Sequence, residues 1–264
     1  MKNRVRVLVL GLCLCASTAF GSPIMYVHDS RGELATVDVA SGNVTLIGNM
    51  GHVMTDIAFD PSGNLYGVTF TQFYAIDATT AASTLIGNLG LSGANALVFA
   101  SDGTLYTAGF NTTGLFTVNP GTGAASLVGS MGFASGGDLA FNGGDFYLAS
   151  SSNQLVRVNP TTGAGTLVGS FGIGNVFGLA TGDNGVLYGV AGETVYTIDT
   201  TTGAATTPVS YSGQGLGTAY GQSFHSEAGA DPVATPEPGT LMLLGTGVAA
   251  AWRARRRRGE SQAR

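Results

Sequence analysis

The segment from residue 22 to residue 238 contains no lysine and no cysteine, and its only basic residues are Arg31 and Arg157. Fifteen of the sixteen acidic residues lie in it, which gives this segment a formal charge of −13. Nucleic acids and anionic lipids are bound mainly through Lys and Arg contacts to phosphate, so such a surface excludes them as partners. The lack of cysteine excludes disulfides and thiol chemistry from the segment.

Recognisable catalytic motifs are also missing from this segment. Its three histidines, His28, His52 and His225, stand in unrelated sequence contexts, and no zinc-protease, nucleophile-elbow or phosphate-loop pattern occurs. A non-catalytic binding or structural role is therefore favoured. A hydrolase or lyase acting on a saccharide or lactone remains the alternative, because fifteen acids always allow some pair at a glycosidase spacing.

The amino terminus has the pattern of a signal peptide over residues 1–21. Three basic residues at positions 2, 4 and 6 precede an apolar run over 7–16, and a small-x-small sequence places cleavage between Gly21 and Ser22. The apolar run is too short for a membrane anchor, which is the other interpretation. Both cysteines of the chain, Cys13 and Cys15, lie inside this segment.

A forty-residue repeat determines the predicted fold. Five tyrosines recur at spacings of 40, 40, 41 and 41 residues: Tyr26, Tyr66, Tyr106, Tyr147 and Tyr188. Each is flanked by short β-rich patterns such as DIAF, FYAIDATTA and STLIG, separated by Gly, Asn, Asp and Pro. Four short strands in each forty-residue unit are typical of a β-propeller blade. We therefore predict an all-β, five-bladed propeller over residues 22–222, with an open or two-sheet β array as the alternative.

The order of the patterns also predicts how the ring closes. The first unit begins at its second strand, at 24–27, whereas the last unit ends with an unpartnered strand-like segment at 216–220. The carboxy-terminal segment should then complete the blade that the amino terminus begins, which protects strand edges. Inner strands are expected near 56–59, 96–99, 138–141, 178–181 and 216–220.

Two sets of repeated polar residues have different expected roles. The first set opens the hairpin between the third and fourth strands and should stabilise turns: Asp38, Asp77, Asn119, Asn159 and Asp199. The second set, Asp56, Asn95 and Asp138, begins inner strands and should point toward one mouth of the central channel. Oxygen ligands gathered there suit calcium. Strand caps or bound channel water are the simpler interpretation, under which no cofactor is needed.

The carboxy terminus has three parts. A polar linker over 223–235 leads to Pro236, Glu237 and Pro238, which hold an extended entry to an apolar run over 239–252. As a helix this run would measure about 21 Å, shorter than the roughly 30 Å hydrocarbon core, and flanking arginines could cover the difference. The arginines Arg253, Arg255, Arg256, Arg257 and Arg258 predict that residues 259–264 stay in the cytoplasm.

This tail resembles the PEP-CTERM sorting signal of Gram-negative bacteria over residues 236–258, where motif, apolar helix and arginine cluster occur in the same order. The resemblance implies processing by an exosortase, transient inner-membrane insertion of a membrane-anchored precursor, and a final location at the cell surface or outside the cell. It also implies a connection with exopolysaccharide or biofilm. We therefore expect an exported matrix or surface protein whose partners are exopolysaccharide or other surface proteins.

Overall fold

A computed structural model describes residues 22–229, which form twenty strands in five antiparallel sheets of four strands each. In chain order the strands are β1 (Ile24–Asp29), β2 (Glu33–Asp38), β3 (Val44–Asn49), β4 (Asp56–Phe59), β5 (Leu65–Val68), β6 (Gln72–Ile76), β7 (Ser83–Asn88), β8 (Ala94–Phe99), β9 (Leu105–Gly109), β10 (Gly114–Val118), β11 (Ala125–Ser130), β12 (Ser135–Asn142), β13 (Asp145–Ser150), β14 (Gln154–Val158), β15 (Gly165–Ser170), β16 (Val176–Thr181), β17 (Leu187–Ala191), β18 (Thr194–Ile198), β19 (Ala205–Ser210) and β20 (Ala219–Phe224).

The five sheets are the blades of a propeller, as the repeat predicts. Blade 1 has the order β20-β1-β2-β3, and blades 2 to 5 follow in chain order with β4, β8, β12 and β16 as their first strands. These four strands and β20 are the inner strands, and each contacts the inner strands of both neighbouring blades, which closes the ring. The five-bladed propeller is confirmed, and the open array is wrong.

Closure by the carboxy-terminal strand is also confirmed, but its position is not where the sequence placed it. β20 pairs antiparallel with β1, from Met25 opposite Phe224 to Asp29 opposite Ala219. The expected segment at 216–220 lies three to four residues too early. Leu216 is buried in the core before the strand starts, and Phe224 takes the position that Phe59 has in blade 2. The strand therefore ends two residues beyond the boundary expected at 222.

The repeated tyrosines join neighbouring blades. The ring of Tyr26 packs on Phe59 of blade 2 with 4.9 Å between centroids, and Tyr66 packs in the same way on Phe99 of blade 3 at 5.3 Å. The equivalent pairs are Tyr106 with Phe141 and Tyr188 with Phe224. Each pair places a second-strand tyrosine against the last aromatic residue of the next inner strand. Burial between sheets supplies the main stabilisation, since the blades enclose five separate apolar clusters.

The hairpin residues act as the turn pattern predicts. The carboxylate of Asp38 accepts hydrogen bonds from the amides of Ala40 and Ser41, and Asp77 and Asp199 accept equivalent bonds in their own hairpins. Asn119 and Asn159 do the same with their amide oxygens. These five residues therefore stabilise turns at the outer side of the blades.

Glycine residues allow the outer strand of one blade to pack closely against the backbone of the next blade. A Cβ atom on Gly129 would overlap the carbonyl oxygen of Thr162 in the next blade, so the close backbone contact requires glycine. We expect Gly129→Ala to destabilise the protein by about 1–3 kcal/mol, as other overpacked sites do. Thermal unfolding should show a melting temperature lower by roughly 2–12 °C. Gly174→Ala is the matched control, because nothing lies within 4 Å of its Cβ position and its φ is not in the left-handed region. Equal melting temperatures for the two variants would contradict the close packing.

The predicted signal peptide at 1–21 and the tail at 236–258 lie outside the described residues. Within residues 22–229 no helix is long and apolar enough to cross a membrane.

Candidate functional site

A cavity of about 450 Å³ opens at the mouth of the channel where the inner strands begin. Its floor and walls include Thr55, Asn95, Gly137, Phe177 and Tyr220, which occupy the same repeat position in blades 2, 3, 4, 5 and 1. We call it the channel-mouth cavity. Of the described residues, those that line it carry no charge.

Four aromatic side chains face this cavity from two sides. Phe70 and Phe110 come from the hairpins after the second strands of blades 2 and 3, and their ring centroids are 5.4 Å apart with an edge-to-face angle of 71°. Phe177 and Tyr220 come from the inner-strand ends of blades 5 and 1, with centroids 6.1 Å apart at 83°. Phe70, Phe110 and Tyr220 are 51%, 50% and 37% exposed, which is unusual for aromatic side chains.

Blade 4 supplies a polar part of the wall. Ser135, Ser150, Ser151 and Asn153 line the cavity between the two aromatic sides. The side-chain oxygen of Asn153 accepts a hydrogen bond of 2.7 Å from the amide of Asn175, which ties this blade to the loop that precedes β16. The wall therefore combines apolar rings with hydroxyl and amide groups, the composition of many small-molecule sites.

Of the three residues that the sequence assigned to the channel mouth, Asn95 lies at the cavity. Its amide nitrogen donates a hydrogen bond of 3.4 Å to the carbonyl oxygen of Ser135. Its oxygen Oδ1 is buried and has no hydrogen-bond partner among the described residues. Since buried acceptors are nearly always satisfied, this atom marks a place for a donor from a ligand or from water.

Asp56 and Asp138 lie one residue deeper, inside the channel, and are 0% and 1% exposed. Asp56 accepts hydrogen bonds of 2.8 Å from the Ile57 amide and 2.6 Å from the Leu97 amide of blade 3. Asp138 accepts in the same way from Leu139 and, in blade 5, from Leu179, both at 2.6 Å. Each aspartate thus joins its own inner strand to the next one.

The two carboxyl groups also lie close enough to affect each other's ionisation. Because blades 2 and 4 are not neighbours in the ring, this interaction acts across the channel. Burial raises the pKa of both groups well above the ordinary value for aspartate. The neighbouring Asp56 adds to the rise in the pKa of Asp138, and two buried carboxyl groups that interact at close range favour a state in which at least one of them is protonated.

A third acid reaches the same channel from its other end. After β20, residues 225–229 form a turn that we call the closing turn, in which the Glu227 amide donates to the carbonyl oxygen of Phe224. The Glu227 carboxylate accepts a hydrogen bond of 2.9 Å from the Ser223 hydroxyl. Burial raises the pKa of Glu227 to about 8, and its charge raises the pKa of both aspartates. The sequence assigned this turn to a linker and gave no sign of a buried acid.

The histidines lie in different surroundings. His28 is buried in β1, and neither of its ring nitrogens has a partner among the described residues. Burial lowers the pKa of His28 to about 3, against the opposing effect of Asp29, so the ring is neutral. A Cβ on Gly221 would overlap both His28 Nε2 and Asp56 Oδ1, so the position requires glycine to leave room for the two side chains. The ring of His52 packs on Tyr74 with 4.8 Å between ring centroids, and the ring of His225 packs on Phe59 with 5.1 Å between centroids.

No three His, Cys, Asp or Glu side chains within residues 22–229 are placed to bind one metal ion. Calcium at Asp56, Asn95 and Asp138 stays a prediction.

Two family models match parts of the chain. Residues 87–212 match a repeat of unknown function (DUF6923), and residues 234–258 match the PEP-CTERM protein-sorting motif. The second match confirms the resemblance drawn from the tail. No curated protein matches the chain.

Solved structures show the same fold at low sequence identity. A chain of a nidogen/laminin complex is 12% identical, with a TM-score of 0.55 over 76% of this chain and 97% of that one. A protein of unknown function from Bacteroides thetaiotaomicron VPI-5482 is 14% identical, with a TM-score of 0.52 over 78% of this chain and 66% of that one. At these identities the comparison establishes the propeller fold alone.

Proposed function

Since the chain joins a five-bladed propeller to a PEP-CTERM motif, which implies exosortase sorting to the outside of the cell, we propose that it is a non-catalytic binding module of the cell surface or extracellular matrix. Its precursor is anchored in the inner membrane by the tail. The channel-mouth cavity is its ligand site, and exopolysaccharide is the partner that connects it with biofilm.

The observation that carries this proposal is the composition of the channel-mouth cavity. Half-exposed aromatic rings and uncharged polar groups line it, while the acids lie beneath its floor. A general acid or nucleophile must come within hydrogen-bond reach of its substrate. Both aspartates are buried, and their oxygens accept hydrogen bonds from backbone amides. This supports binding rather than the hydrolase or lyase alternative.

Retention of exopolysaccharide tests the proposal. The mature protein, purified from its own organism so that the tail is processed, is immobilised and exposed to that organism's exopolysaccharide in calcium or in chelator. We expect retention that falls at least tenfold in the Phe177→Ala, Tyr220→Ala double variant, because stacked aromatic residues dominate many binding sites. A difference between the two buffers would report a calcium requirement.

Leu127→Ala is the control, because Leu127 is 67% exposed on the outer strand of blade 3 and does not line the cavity. Its retention should equal that of the unmodified protein. Absence of retention in both buffers, or equal retention by the double variant, would count against the proposed function. Shortening of the polymer during incubation would instead support an enzyme.

A further inference from the structure

We infer that the channel-mouth cavity binds an uncharged glycan segment, which lies between the two aromatic pairs and donates a hydroxyl hydrogen bond to Asn95. This inference rests on the proposed function and specifies the chemical class of its ligand.

The aromatic pairs occupy positions where other blades have small residues. Four residues after the repeated tyrosine, blades 2 and 3 carry Phe70 and Phe110, whereas the other blades carry Ser30, Ser151 and Gly192. Their exposed rings add nothing to the cores between blades, and an exposed apolar patch on a secreted protein marks an interaction site. Within each pair the rings meet edge to face, and the exposed fractions of Phe70, Phe110 and Tyr220 leave ring surface available to a ligand. The apolar C–H face of a pyranose ring fits such a platform.

Asn95 distinguishes a glycan from a peptide rich in proline, the other common occupant of aromatic-lined grooves. The bond from the Asn95 nitrogen to the Ser135 carbonyl fixes Oδ1 as the atom that needs a donor. Proline lacks an N–H group, whereas every sugar residue carries hydroxyl donors. Asn95 lines the cavity and its Oδ1 atom has no partner among the described residues, which favours a polyhydroxylated ligand.

Charge distinguishes a neutral glycan from an acidic one. The cavity wall offers no cation among the described residues to pair with a uronate, sulfate or phosphate group. Arg31 and Arg157, the only Lys or Arg residues of the described segment, form ion pairs with Asp29 and Asp145, and neither lines the cavity. An anionic polymer would lose part of its hydration in the cavity without a cation to compensate for the loss.

The test divides the host's exopolysaccharide by anion exchange into a neutral and an acidic fraction and applies each to the immobilised mature protein. We expect retention of the neutral fraction, loss of that retention after periodate oxidation of its diols, and no effect of protease treatment. Asn95→Leu should weaken retention at least tenfold, whereas Asn95→Asp, which keeps an acceptor oxygen, should weaken it less. Circular dichroism and thermal unfolding of each variant separate a binding effect from a folding effect.

Retention of the acidic fraction alone, or of material that protease removes and periodate does not, would overturn the neutral glycan while leaving the binding function in place. Equal retention by Asn95→Leu and the unmodified protein would overturn the role of Asn95. If neither fraction is retained, both this inference and the proposed function fail.

Discussion

Asp138→Ala is expected to destabilise the protein by about 2–6 kcal/mol, because it leaves two buried backbone amides without a hydrogen-bond acceptor. The substitution leaves the buried amides of Leu139 and Leu179 without their acceptor and removes the carboxyl group that interacts with Asp56. Each unpaired buried group costs about 1–3 kcal/mol. Urea unfolding at pH 6 should show the loss as a lower midpoint with an unchanged slope.

Two matched variants make this expectation specific. Asp138→Asn keeps the shape and one acceptor oxygen, so its cost should be about 1–2 kcal/mol. Asp102→Ala removes an exposed turn carboxylate whose hydrogen bond, of 2.9 Å, is to the nearby Thr104 amide, and it should cost less than about 1 kcal/mol.

A double-mutant cycle tests the contact across the channel. If the two carboxyl groups share a proton, Asp56→Ala combined with Asp138→Ala should cost less than the two single substitutions together, since each single variant already breaks the pair. Additive costs would show that the aspartates act independently within their own blades. A loss for Asp138→Ala as small as that for Asp102→Ala would refute the bridging role altogether.

The fold could be predicted from the sequence because the repeated residues are those that make the contacts between blades. The spacing of the tyrosines follows from one packing position, in which Tyr26 meets Phe59 and Tyr66 meets Phe99. Closure of the ring could be predicted because the first unit lacks an inner strand and the last unit is followed by an unpartnered strand. The last inner strand was misplaced because its sequence AYGQSF departs from the repeated DIAF pattern, and only burial of Phe224 reveals the alignment.

The ligand site was harder to predict, because it consists of departures from the repeat. Phe70 and Phe177 look like ordinary core residues in an apolar sequence, and only their repeat positions at a loop would have marked them. Asp56 was expected at the mouth, but a strand advances about 3.3 Å per residue. One position therefore moves a carboxylate from the cavity to the buried channel, which a sequence pattern cannot resolve. The burial of Glu227 was not predicted, because an acidic residue in a polar segment is normally expected to be exposed to solvent.

The closing turn leads to the second large effect, a fall in stability as the pH rises. The pKa of Glu227 is about 8 in the folded protein, against the ordinary value of 4.5 in the unfolded chain, so between these pH values the folded state holds a proton that the unfolded state has released. Stability from this group is full below pH 4.5 and is lost as the pH rises through 8. The raised pKa values of Asp56 and Asp138 act in the same direction.

Other titrating groups restrict the pH range in which the effect of Glu227 on stability can be measured alone to values above 6.5. His28 has a pKa lowered from 6.5 to about 3, so its contribution grows as the pH rises toward 6.5 and opposes that of Glu227 there. Hydrogen bonds from Thr79 and Thr201 lower the pKa of Asp77 and of Asp199 at the surface, and stability from these turns is lost only as the pH falls through their folded values. Above pH 6.5 the buried acids therefore determine how the free energy of unfolding changes with pH.

Glu227→Gln should flatten this slope. Between pH 6.5 and 8 the shifted group accounts for roughly 2 kcal/mol, at about 1.4 kcal/mol for each unit of pH. Urea unfolding of the unmodified protein should lose that amount, in addition to a part from the aspartates that both proteins share. Asp183→Asn, which removes one charge from an exposed turn, is the control and should follow the unmodified protein within a few tenths of a kcal/mol. Parallel pH profiles for Glu227→Gln and the unmodified protein would mean that Glu227 is ionised at neutral pH, and the closing turn would then have to hold a charge that the described residues leave uncompensated.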